Sequence, residues 1–263
     1  MKKAIWLKVR SPFVLTSILY QTEKAIFAKT HEMKQYKHLF FDLDRTLWDF
    51  ERNASEAYSE IYEKYDLRLR GVENLDHFVK CYLKHNDELW ALYRDGKIEK
   101  EYLRWRRFEV TLNEFGIDDR TLAQDIGNDY VALSPQKKHL LPNALQTLDY
   151  LHNKYKMHII TNGFEEVQFV KLANSNLHRY FQHVITSEAA GFKKPDPGIF
   201  QFALNRVGAL AADCLMIGDD IETDIFGASG VGMDAVFFNP AKVAGNNPAL
   251  TQIADLIELT QIL

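Results

Sequence analysis

The spacing of apolar positions changes twice along the chain. Leu39-Phe40-Phe41 is a short unbroken apolar run that ends in acidic residues, as a buried strand does. From about 52 to 133 the period is helical. Leu75, Phe78, Val79, Tyr82, Leu83, Leu89, Trp90 and Tyr93 fall on one helical face, and Asp95-Gly96 makes a turn. Tyr102, Trp105, Phe108, Leu112 and Phe115 form a second stripe, closed by Gly116 as a C-cap. Shorter helical patterns cover about 53–65 and 119–132. The aromatic stripes are read as the core of a helical bundle rather than a cofactor box.

After Ser134-Pro135, strand and helix patterns alternate. Pro142 suits the first turn of a helix running to about Lys154. Met157 to Thr161, His183 to Thr186, Cys214 to Ile217 and Ala235 to Phe238 read as strands. Glu165 to Asn174, Pro197 to Val207 and a segment after Asp220 read as the helices between them. This alternation predicts an α/β fold, a doubly wound parallel sheet with helices on both faces. The all-helical block interrupts it after the first strand. The expected organisation is an α/β core from 33–51 and 135–263, a helical domain at 52–134, and an N-terminal extension at 1–32.

Charge divides the chain at the same place. The 263 residues carry 32 Lys/Arg and 36 Asp/Glu, a formal net charge of −4. Residues 1–32 contribute +4 and the remainder −8. A mildly acidic body argues against coating a nucleic acid polymer. The extension shows no caps or period leading into the first strand. Two expectations stand for it: translation starts at Met33, or residues 1–32 form an amphipathic helix docked on the domain or a membrane surface. Cys81 and Cys214 are far apart and read as reduced, buried thiols. No stretch reaches the roughly 18 apolar residues a membrane span needs, and no cleavage site comes after the N-terminal apolar runs, so a cytoplasmic protein without a membrane partner is expected.

Polar chemistry collects at the ends of the strands, where such sheets bind ligands. The first strand delivers Asp42-Leu43-Asp44-Arg45-Thr46-Leu47, and the second delivers Thr161-Asn162-Gly163. A loop supplies Lys193-Lys194-Pro195-Asp196, and a later strand supplies Gly218-Asp219-Asp220, with Asp224 beyond. One Asp after a strand is usually a cap or a turn residue. Several acids, a Thr and a Lys at successive strand ends make a site. Clustered carboxylates repel and call for a cation, and oxygen-only ligands favour Mg²⁺ over zinc.

These four segments, in this order, closely resemble the motifs of the haloacid dehalogenase (HAD) superfamily, and the resemblance runs from about Tyr36 to the C-terminus. It implies a Rossmann-like core, with the helical insert as a subclass I cap, and a phosphatase mechanism with Mg²⁺ as cofactor. Asp42 would be the nucleophile that forms an aspartyl-phosphate, and Asp44 the general acid and then base. Thr161, Asn162, Gly163 and Lys194 would bind the phosphate, and Asp42, Asp219 and the Asp44 backbone carbonyl would bind the metal. Asp220 or Asp224 would orient the lysine or a metal-bound water, Asp220 and Glu222 alternatively serving only as first-turn charges. Lys193 stands beside Lys194, but the residue directly before Pro fits the motif. Arg45 occupies a position where many superfamily members have Gly. Asp44 argues against a dehalogenase, whose members typically lack that second aspartate.

The segments around Trp48, 89–98, 107–109 and 160–172 further resemble the noncanonical pyrimidine 5′-nucleotidases. That implies a small phosphomonoester substrate, a nucleoside monophosphate, with a sugar-phosphate phosphatase or a phosphomutase as the alternative. A non-catalytic binding module on this fold is the reading from a different class, and no loss at Asp42, Asp44 or Lys194 points to it. Trp48, Trp90, Tyr93, Lys97, Arg106 and Arg107 are candidate substrate contacts. For each the plainer alternative is core for the aromatics and a solvated helix face for the cations, because Glu99, Glu101 and Glu109 interleave the basic run.

Overall fold

The computed structural model describes residues 35–242 and 251–263. Both expectations for residues 1–32 lie outside the described residues. Strands β1 (His38–Phe41), β2 (Lys156–Thr161), β3 (Phe181–Thr186), β4 (Cys214–Gly218), β5 (Asp234–Phe238) and β6 (Gln252–Ile253) form one parallel sheet in the order β3-β2-β1-β4-β5-β6. β1 is central because it is apolar on both faces: Leu39, Phe40 and Phe41 are fully buried. Phe41 lies opposite Ile159 on one side and Ile217 on the other, so β1, β2 and β4 end nearly level. The chain order reverses at β1, which opens a crevice above its carboxyl end.

Four helices lie between β1 and the rest: α1 (Phe50–Lys64), α2 (Leu75–Arg94), α3 (Lys100–Glu114) and α4 (Arg120–Leu133). Side chains of Asp49, Asn74 and Asp119 cap α1, α2 and α4 by accepting from backbone amides in the first turn. Gly116 follows α3 at φ +75°, a left-handed turn that favours glycine. The core of this body is aromatic. Tyr58, Tyr82, Phe108 and Tyr130 interlock, with the Tyr58 and Tyr130 rings stacked at 5.3 Å. Gly127 lets α4 touch α3, since a Cβ there would lie 2.8 Å from the Arg104 carbonyl oxygen.

The α/β part continues with α5 (Ala144–His152), α6 (Glu165–Asn174) and α7 (Pro197–Val207). α5 begins at Ala144 rather than at Pro142, because Asn143 adopts a left-handed φ of 60° just before it. β6 is absent from the sequence-based expectation because two residues are too few to show a period. The helix after Asp220 begins as a wide π turn over Ile221–Phe226, with the Asp220 carboxylate accepting from the amides of Glu222 and Thr223.

The helical body seats on α6 through two kinds of contact. Trp90 stacks on Phe164 at 5.4 Å. Lys100 on α3 bridges Glu166 and Glu188, and Arg104 also pairs with Glu166. Among the described residues no helix is long and apolar enough to cross a membrane.

Candidate active site

The carboxyl ends of β1, β2 and β4 bring the sequence-designated residues into one crevice. Asp42 directly follows β1 and its backbone amide donates to the Ile217 carbonyl at 2.9 Å, which continues the ladder by one rung. Lys194 reaches it from the loop before α7. The Lys194 ammonium donates to Asp42 Oδ1 and to Asp224 Oδ1, each at 2.6 Å, and all three residues are buried. Lys193, the alternative, instead lies 4.3 Å over the Tyr93 ring. The Lys194 backbone is held too. Asn162 Nδ2 donates to its carbonyl at 2.9 Å, and its amide donates to Asn162 Oδ1 at 2.7 Å. Thr161, the last residue of β2, accepts from the Gly163 amide at 3.1 Å.

Asp44 faces the same crevice with both carboxylate oxygens occupied. Lys171 Nζ donates to Oδ1 at 2.6 Å, and Gln168 Nε2 donates to Oδ2 at 2.8 Å. Gln168 Nε2 also lies 3.0 Å from Thr161 Oγ1, so it joins the end of β1 to the end of β2. Its amide fills the space a side chain at 163 would need: a Cβ there would come within 1.6 Å of Nε2.

A third carboxylate follows β4. Thr46 Oγ1 donates to Asp219 Oδ1 at 3.0 Å. Burial, reinforced by the Asp224 charge, pushes the Asp219 carboxyl up to about 7. Burial also holds Asp42 well above the ordinary carboxylate range, Lys194 pulling against it and Asp224 and Asp219 adding to it. Asp220 and Asp224 divide their work. Asp220 caps the π turn, while Asp224 turns inward to Lys194. Gly218 makes room for it, since a Cβ there would lie 2.2 Å from Asp224 Oδ2.

One oxygen each of Asp42, Asp219 and Asp224 lies within 4.8 Å of the others. Asp224 is already tied to Lys194 and to the Asp220 amide. Both Asp224 oxygens are thereby engaged, whereas Asp42 meets Lys194 and Asp219 meets Thr46 through Oδ1 alone. Hard oxygen donors crowded against their own repulsion fit a Mg²⁺ ion.

The crevice is a cavity of about 200 Å³ whose roof comes from the helical body. Trp90 and Arg107 line it, together with Asn86, Phe50 and Tyr130. Arg107 is buried, donates to Asn86 Oδ1 at 3.0 Å and to the Arg104 carbonyl, and lies over the rings of Tyr82, Phe108 and Tyr130. The solvated-face reading fails for this residue and for Glu109, which is buried against Arg106 and Arg120. The alternation of charges hid it, because α3 is covered on two sides by α2 and α4. The other candidates do not line the cavity. Trp48 is fully buried under the ammonium of Lys171. Tyr93 packs against Trp90 and Phe164, Lys97 pairs with Asp95 at the surface, and Arg106 is taken by Glu109.

The sequence profile of the haloacid dehalogenase-like hydrolases matches residues 36–232, three quarters of the chain and every segment that builds this crevice. The chain belongs to that family. Among its relatives, the HAD-hydrolase YfnB of Bacillus subtilis is 28% identical over 236 residues, 88% of this chain and 97% of that one. The crystal structure of YfnB, determined bound to magnesium and revealing interdomain movement, superposes with a TM-score of 0.79 at 26% identity over 87% of this chain and 99% of that chain. The pyrimidine 5′-nucleotidase PynA of Streptococcus pneumoniae is 31% identical over 81% of this chain and 88% of its own. A glyceraldehyde 3-phosphate phosphatase of Methanothermobacter thermautotrophicus is 31% identical over 86% and 99%.

For this HAD-like hydrolase, sequence reasoning passed over Thr46, Asn86, Gln168 and Lys171. Thr46 carried a signal, since it sits inside the first motif. Gln168 and Lys171 sit three residues apart on a helix, where a polar pair reads as solvent-facing. Only their burial distinguishes them.

Proposed function

We infer that this hydrolase cleaves phosphoric monoesters with Mg²⁺, and propose that its substrates are pyrimidine nucleoside 5′-monophosphates. The observation that carries the phosphatase reading is the buried Lys194 held 2.6 Å from Asp42 at the end of β1, with Thr161 and Asp219 ending the flanking strands. A lysine beside a carboxylate at a strand end neutralises a transferring phosphoryl group while leaving the carboxylate oxygen free to attack.

In this reading Asp42 attacks phosphorus and the bond from phosphorus to the leaving oxygen breaks. Asp44 gives that oxygen a proton. Asp44 then takes a proton from the attacking water as the bond from phosphorus to Asp42 breaks, which releases phosphate and restores the enzyme. Thr161 and the Asn162 and Gly163 amides hold the phosphate oxygens, at the entrance to α6. Asp42, Asp219 and the Asp44 backbone carbonyl would hold Mg²⁺, which when bound neutralises phosphate charge.

The roof supports a nucleoside leaving group. Trp90 and Phe50 offer flat faces for a base, and Arg107 and Asn86 offer N–H donors that suit carbonyl oxygens. The similarity to PynA supports the same choice; the similarity to a triose phosphate phosphatase supports the runner-up, a sugar-phosphate substrate. We further propose a helical cap at about 52–134 that opens and closes over the crevice, and a cytoplasmic location.

The test is phosphate release with Mg²⁺ from UMP, dUMP, dTMP, several sugar phosphates and p-nitrophenyl phosphate. The expected order places the pyrimidine nucleotides first. Sugar phosphates ahead of nucleotides would end the nucleotide reading. No release, or equal release by Asp42→Asn, would end the phosphatase reading.

A further inference from the structure

We propose that Lys171 and Gln168 are positioning residues that fix how the Asp44 carboxylate is presented to the phosphoryl group. The inference rests on the phosphatase reading above, which gives Asp44 its proton transfers.

Lys171 is a buried lysine with one ionic partner. Its Nζ lies 2.6 Å from Asp44 Oδ1 and 4.2 Å from the centroid of the Trp48 ring. Its side chain is 5% exposed, and among the described residues it has no other carboxylate. An ammonium is strongly hydrated, and burying one is unfavourable unless its charge is matched. The Asp44 carboxylate and the Trp48 ring face supply that match. Removal of Asp44 from this contact would strand the cation, so the pair holds the carboxylate in one place.

Gln168 fixes the second oxygen. Its Nε2 is shared between Asp44 Oδ2 and Thr161 Oγ1, while its Oε1 is buried without a partner among the described residues. With Lys171 on one oxygen and Gln168 on the other, the carboxylate cannot rotate out of register with Thr161. Neither residue needs to touch phosphorus.

The test is a comparison of two esters in wild type, Lys171→Met and Gln168→Leu. UMP has a poor leaving group that needs a proton. p-Nitrophenolate leaves without one. With UMP, kcat of Lys171→Met should fall by roughly 10²-fold, within the span that general acid–base catalysis contributes, while KM stays within about threefold. With p-nitrophenyl phosphate, the first half-reaction should survive and the second should slow. The variants should then show a burst of p-nitrophenolate equal to the enzyme concentration, followed by slow turnover.

Equal losses on both esters without a burst would show a merely structural role and overturn the proposal, as would unchanged kcat. If Lys171→Met loses its far-ultraviolet circular dichroism, Gln168→Leu and Lys171→Arg carry the same comparison. Lys171→Arg keeps the charge and should recover part of kcat. A wild type that cleaves p-nitrophenyl phosphate but no nucleotide ends the nucleotide reading and leaves the burst to decide this one. A wild type that cleaves neither overturns both.

Discussion

Asp224 accepts a 2.6 Å hydrogen bond from the Lys194 ammonium, and both groups are buried. The Lys194 charge is therefore shared between Asp224 and Asp42, and the two acids hold its proton more firmly than usual. Asp224→Asn keeps the shape and removes one of the two charges. Lys194 should then pair more tightly with Asp42 and blunt its attack. We expect kcat to fall by at least about tenfold and stability by about 2 kcal/mol, the scale of a hydrogen bond to a charged group. Urea unfolding and phosphate release measure the two effects. Gly218→Ala, which crowds Asp224 without changing charge, should lower kcat in the same direction.

Magnesium should stabilise the folded chain as well as support catalysis. A cation that binds Asp42 and Asp219 only when they are brought together raises the unfolding midpoint by mass action. Thermal melts with and without Mg²⁺ should show that rise in wild type and lose it in Asp219→Asn. EDTA should abolish phosphate release. An unchanged melt in wild type across millimolar Mg²⁺ would contradict the metal assignment.

Acid should destabilise the sheet through His158. This residue of β2 is buried, its Nε2 lies 3.0 Å from His38 Nδ1, and its ring stacks on His183. Burial first, then the positive charges that His38, His183 and Lys156 would bring, pushes the imidazole down to about 3. The unfolded chain binds this proton below its ordinary value of 6.5 and the folded chain does not. Stability is therefore full above pH 6.5 and is lost as pH falls from 6.5 toward 3, by about 1.4 kcal/mol per pH unit from this group. His158→Leu should flatten that slope. Urea midpoints of both proteins at pH 7.5, 6 and 5 check it; parallel slopes would sink the idea.

Arg107 should matter more for substrate binding than for stability. It is a buried cation that no described carboxylate partners, held by Asn86, a backbone carbonyl and three ring faces. A methionine of similar length removes an expensive charge. Arg107→Met should leave the melting temperature unchanged or higher while raising KM for nucleotides about tenfold or more, as loss of an Arg contact to a substrate acceptor does. Inhibition by inorganic phosphate should be unaffected, because the proposed phosphate site is at Lys194 and not at the roof. A parallel loss of phosphate inhibition would place Arg107 in the phosphate site instead.

These tests separate what local sequence encodes from what it cannot. Asp42, Thr161 and Asp219 were legible because each directly follows an apolar strand, and the parallel sheet with β1 at its switch point then places them side by side. Pro197 to Val207 was legible to the residue, since Asp196, Pro197 and Gly208 mark both ends. Asp220 and Asp224 were indistinguishable, one helical turn apart. Only the start of the π turn decides that the first caps and the second points inward. Lys171 was invisible because its partner lies 127 positions earlier in the chain. Arg45 shows φ +63°, which explains why glycine is common there, yet its guanidinium folds over Phe50 and pairs with Glu51.

The link between Asn162 and the Lys194 backbone has a consequence for how the Lys194 loop can be displaced. Its two hydrogen bonds run in opposite directions. Turning the amide over would set N–H against N–H and oxygen against oxygen, so both bonds are kept or both are lost. The loop bearing Lys194 is therefore coupled to β2 by an amide with one working orientation, as if one more rung of the ladder had been built from a side chain. Asn162→Asp would keep one bond and turn a carboxylate toward a carbonyl, in a pocket already crowded with negative charge. An enzyme engineer who wants a different leaving group should leave that rung alone and rebuild the roof above it.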